Sequence, residues 1–92
     1  MNNILLINRI NPGDELDKIV NMSFIIAGME NEDTHNTLTK IIKEVDFMSV
    51  EDIVMKYNGI AANIPLGKVP EFVALLCKNG LKIFGIYEIY NN

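Results

Sequence analysis

Two alternating apolar runs, residues 52–57 and 60–64, flank the dipeptide Asn58-Gly59. A two-residue type I′ turn needs positive φ at both central positions, which Asn and Gly tolerate, so this pattern predicts a β-hairpin turning on Asn58-Gly59. The register that follows sets Tyr57 opposite Ile60, Met55 opposite Ala62 and Ile53 opposite Ile64, all on the core face. Asp52, Val54, Lys56, Ala61 and Asn63 then point to solvent.

Two helical stripes flank the hairpin. Leu38, Ile41, Ile42 and Val45 fall at i, i+3, i+4 and i+7, with Asp33 or Thr34 placed to cap the start. Val69, Phe72, Val73 and Leu76 form the second stripe over 69–78. Pro70 stands near its start, where a missing N–H costs little, and Gly80 is placed to close it in the left-handed conformation. Residues 22–29 read as a strand apolar on both faces apart from Ser23, and residues 81–90 as a last strand. At the front, 3–10 has the β-branched character of a strand ended by Asn11-Pro12-Gly13, and 14–20 spaces Leu16, Ile19 and Val20 as a short helix.

From Met22 onward the order is β-α-β-β-α-β, the ferredoxin-like split βαβ motif: an α+β fold with two helices on one face of a four-stranded antiparallel sheet. Residues 1–21 are then a strand and short-helix extension, and 22–92 the ferredoxin-like domain. The last strand should lie beside the first. If Phe24, Ile26, Leu81, Ile83, Tyr87 and Ile89 are hidden under the helices, then Ile25, Ala27, Met29, Phe84, Ile86 and Tyr90 face outward. An apolar patch of that kind marks an interface with a second chain, unless residues 4–20 fold back over it.

Composition narrows the classes of function. With 92 residues there is room for one small core, and 49 % apolar residues exceed what a solvated surface needs. A formal charge of −4 and eight scattered Lys and Arg residues argue against a nucleic-acid footprint. One cysteine forms no intrachain disulfide, and no apolar stretch approaches a membrane span, so a cytoplasmic protein without direct membrane insertion is expected.

Catalytic chemistry is sparse. His35 is the sole histidine, which rules out a multi-histidine zinc cluster within one chain, and it reads as a surface residue at a helix start. Cys77, on a helix between Leu76 and Lys78, reads as a structural thiol. Acids cluster at Asp14-Glu15-Asp17, Glu30-Glu32-Asp33 and Glu51-Asp52, and the first two groups flank predicted helix starts, where capping and the dipole account for them. No phosphate-cradling glycine loop or cation-binding loop occurs. No catalytic residue, cofactor or metal is assigned.

The run Ile64-Pro65, Val69-Pro70-Glu71-Phe72, Leu75-Leu76 and Asn79-Gly80-Leu81-Lys82-Ile83-Phe84-Gly85-Ile86-Tyr87-Glu88 resembles the C-terminal accessory domain of ABC transporter ATPases of the bacitracin and lantibiotic exporter type. The likeness is specific over about 25 residues and architectural back to Met22. Ile4-Leu5-Leu6-Ile7-Asn8 and Gly13-Asp14-Glu15-Leu16 resemble the strand and helix by which such an ATPase leaves its catalytic domain. The Walker A, signature and Walker B segments are missing, so the resemblance implies a detached or truncated accessory domain and not an ATPase. It implies a non-catalytic interaction or regulatory module, a homodimer or a partner of ABC transporter subunits. A second resemblance is to ACT domains, βαββαβ modules that sense small metabolites. Their first turn usually carries a D-x-P-G-like sequence, whereas Glu30-Asn31-Glu32-Asp33-Thr34 has neither Pro nor Gly.

Overall fold

The computed structural model describes residues 16–89. Its elements are β1 (Ile19–Ile26), α1 (Glu32–Glu44), β2 (Ile53–Lys56), β3 (Gly59–Pro65), α2 (Val69–Lys78) and β4 (Ile83–Glu88). Single 3-10 turns, Val50–Asp52 and Leu66–Lys68, lead into β2 and α2. The strands form one sheet in the order β2-β3-β1-β4, and every neighbouring pair is antiparallel. This is the ferredoxin-like α+β arrangement, with β3 and β1 central and β2 and β4 at the edges.

Both helices bury the stripes their spacing predicts. Leu38, Ile41 and Ile42 from α1, and Phe72 and Leu76 from α2, join Val20, Met22, Phe24, Ile26, Ile60, Ala62 and Ile64 in one core on one face of the sheet. Phe72 is its centre. Its ring meets Phe24 edge-on at 5.2 Å and Phe47 at 6.4 Å, separations at which aromatic quadrupoles attract. The end of α2 follows the sequence: Gly80 adopts φ +84°, its N–H reaches the Cys77 carbonyl, and the Leu81 N–H reaches that of Leu76. Those paired bonds are the Schellman closure of a helix.

The N-terminal boundaries differ from the sequence reading. Ile19 and Val20, expected in a short helix, open β1, because Val20 pairs with Ile64 and is buried against the helices. Residues 16–18 continue that line, with the Leu16 and Lys18 carbonyls accepting from Gly67 and Leu66. The predicted strand at 3–10, the start of the predicted helix and Tyr90 lie outside the described residues. At the other end β1 stops at Ile26, and residues 27–31 turn into α1 around Gly28, at φ +81°. The helix is capped by Asn31, whose carbonyl accepts from Thr34 and His35, and not by the side chain of Asp33 or Thr34.

The hairpin turns one residue earlier than expected. Ile53 pairs with Ala62, Met55 with Ile60 and Lys56 with Gly59, leaving Tyr57-Asn58 as the loop. Tyr57, expected inward, is 92 % exposed. No non-glycine among the described residues has positive φ, so this loop is not type I′. Gly59 is used differently. It lies in the strand at φ +156°, so close to β1 that a Cβ there would overlap the Phe24 carbonyl oxygen. Only glycine admits that approach.

Candidate interaction surface

Cross-strand partners point to the same side of a sheet, so the register defines the face turned away from the helices. One row across it reads Val54, Ala61, Ser23, Tyr87, and the next reads Lys56, Gly59, Ile25, Gly85. Toward one end Asn21 faces Asn63, and its side-chain N–H donates to the Asn63 Oδ1 at 2.8 Å. The two central strands thus supply a floor of short side chains in which Ser23 and Ala61 are buried. Larger apolar residues stand around it: Ile19, Val54 at 59 % exposure and Phe84 at 71 %.

A β-bulge decides which β4 residues reach this face. Ile25 pairs with Gly85 but Ile26 pairs with Ile83, so Phe84 is an extra residue with no partner on β1. One inserted residue inverts the alternation beyond it. Ile83 and Ile86 therefore both turn toward the helices, where they pack against the core, and Ile86 lies opposite Phe24. The expected outward position of Ile86 is corrected to inward. Tyr87, expected inward, moves to the outer row opposite Ser23.

The remaining residues of the expected patch separate. Ile25 lies half-buried on the outer face, and Phe84 projects from the bulge. Ala27 is exposed, but in the turn beyond β1. Met29 is only 4 % exposed and belongs to the core, because the chain has left the sheet by then and folds back toward α1. Two further residues stand on the outer face: Val54, which the alternation places on the solvent side, and Ile19, which the spacing predicts in a helix.

The candidate reactive side chains are dispersed. His35 is half-buried and not a free surface residue: its Nε2–H donates to the Met29 carbonyl at 2.6 Å, tying α1 to the preceding turn. Cys77 is an exposed free thiol on α2, not a packed one. A shallow open groove of about 440 Å³ runs along α1 and is lined by Asn36, Thr39, Lys40, Lys43 and Glu44, with neither His35 nor Cys77 among them. Among the described residues, no three His, Cys, Asp or Glu side chains come together as a metal site, and no helix is long and apolar enough to cross a membrane. Comparison with protein-family models, curated proteins and solved structures finds no match.

Proposed function

We propose that this chain is a non-catalytic protein-interaction module that self-associates through its sheet, an accessory domain of the kind that follows the nucleotide-binding domain of bacitracin- and lantibiotic-type exporter ATPases. The observation that carries the reading is the outer sheet face. Ile19, Ile25, Val54, Tyr87 and Phe84 surround a floor of Ser, Ala and Gly, while both helices bury their apolar stripes on the opposite side. Apolar area of this kind favours association, since covering it removes it from water. The proposed setting is cytoplasmic, with a second copy or ABC transporter subunits as partners.

Phe84 supplies the test. Its side chain is largely free of the core, so Phe84→Asp should leave the thermal unfolding midpoint nearly unchanged. Light scattering on the purified chain at high micromolar concentration should show association that this substitution weakens. A strict monomer before and after the substitution would sink the reading.

One observation favours a second reading, an ACT-like sensor of small metabolites. The β1–α1 turn is built on Gly28 at φ +81°, so it contains the glycine that residues 30–34 lack. A thermal-shift panel of amino acids and nucleotides tests it, because a ligand specific to the folded state raises the midpoint by mass action. No shift at millimolar concentration would eliminate the members tried.

A further inference from the structure

We infer that the free edge of β2 pairs antiparallel with β2 of a second copy, joining two sheets into one of eight strands. The inference rests on the self-association proposed above but names a different contact, the strand edge and not the outer face.

Backbone polarity comes first. The Asn58 carbonyl accepts from the Ile26 N–H, so it faces β1. Backbone groups alternate sides along a strand, which turns Gly59 and Ala61 toward β2. Their partners Lys56 and Val54 turn back toward β3, and the groups of Ile53 and Met55 point away from the sheet. The Ile53 N–H is held by the Val50 carbonyl. That leaves the Ile53 C=O with the N–H and C=O of Met55 as an unpaired edge, the kind of template that another strand completes.

Side chains then choose the occupant. Asp52-Ile53-Val54-Met55-Lys56 has an acid at one end, a base at the other and three apolar residues between. Antiparallel pairing about a two-fold axis at Val54 sets Val54 against its own copy, Ile53 against Met55, and Asp52 against Lys56 twice. This register also aligns the outward groups, since Ile53 and Met55 are both edge-facing and each Met55 N–H meets an Ile53 C=O. Shifting by one residue would pair an edge-facing residue with one that faces inward. The Asp52 carboxylate uses one oxygen on the Ser49 N–H, at 2.9 Å, and keeps the other for the lysine. Exposed apolar surface on Val54 and Met55 is covered at the same time. The segment is thus complementary to itself, which is what an isologous dimer requires.

The test is sedimentation velocity on the full 92-residue chain over a concentration series. Lys56→Asp sets two pairs of like charges across the axis and should weaken the dimer on the order of tenfold or more. Adding Asp52→Lys to that variant exchanges both charges, restores opposite pairing and should recover the dimer. Met55→Pro removes an edge-facing N–H without touching the β2–β3 ladder, so it should keep the fold and abolish pairing. If Phe84→Asp disrupts association and none of the β2 variants does, the edge contact is refuted while self-association through the face survives. A monomeric parent chain refutes both.

Discussion

Gly59→Ala should be far more damaging than Gly80→Ala, although both glycines have positive φ. At Gly59 the added Cβ would overlap the Phe24 carbonyl oxygen and lie 2.9 Å from its carbon and 3.1 Å from the Ile25 Cα. All three atoms are backbone of the central strand, so no side-chain rotation relieves the clash. β3 must move away from β1, which breaks the Ile26 N–H to Asn58 C=O hydrogen bond. Leaving such a group unpaired costs about 1–3 kcal/mol, and the unfavourable φ adds about 1–3 kcal/mol. At Gly80 a Cβ meets nothing within 4 Å, so only the left-handed φ is penalised, at about 1–2 kcal/mol. A domain of this length has about 5–14 kcal/mol of stability in total, so the first loss is a large share of it. In urea, with a slope of ~1.5 kcal/mol per molar, these sums of about 2–6 and about 1–2 kcal/mol should lower the midpoint by roughly 1.3–4 M for Gly59→Ala and by about 1 M for Gly80→Ala. Equal midpoints for the two variants would refute the close approach of β3 to β1.

Phe72→Ala should destabilise by about 3–5 kcal/mol in the same assay, since the ring is fully buried and meets both Phe24 and Phe47. His35→Ala should cost about 0.5–1.5 kcal/mol by removing the bond to the Met29 carbonyl, with a local rise in amide exchange at residues 27–31; unchanged exchange there would count against that tie.

The helices were legible because a 3.6-residue stripe is a property of many residues together: Leu38, Ile41, Ile42, Phe72 and Leu76 are all buried as their spacing requires. Gly80 was legible because a helix end constrains φ locally. The Asn-Gly pair misled because two different demands select the same residue. A turn needs glycine for positive φ, whereas Gly59 is needed for a close approach between strands, and that partner strand is 34 positions away in the Ile25–Gly59 pair. Nothing in a local window reports the Phe24 carbonyl. The outer sheet face was less legible than the fold for the same reason, since it depends on pairing between the first and last strands.

Two errors of register had opposite consequences, and the period of a strand explains why. Moving the loop from Asn58-Gly59 to Tyr57-Asn58 changes each β2–β3 partner by two residues, so Ile53, Met55, Ile60 and Ala62 keep their faces. The bulge at Phe84 changes the β1–β4 register by one, so Ile86 and Tyr87 exchange faces. An even slip alters only which residues meet; an odd one exchanges core for surface. Phe84 stands on the outer face with or without the insertion, beside Gly85, where a Cβ would lie 3.3 Å from Ile25 Cγ1. Regular pairing of the same segment would turn Ile86 out and Tyr87 in, removing an apolar side chain from the core in exchange for a phenol. The bulge thus keeps both Ile83 and Ile86 under the helices and sets Tyr87 beside Phe84 on the opposite face, where the proposed contact needs them.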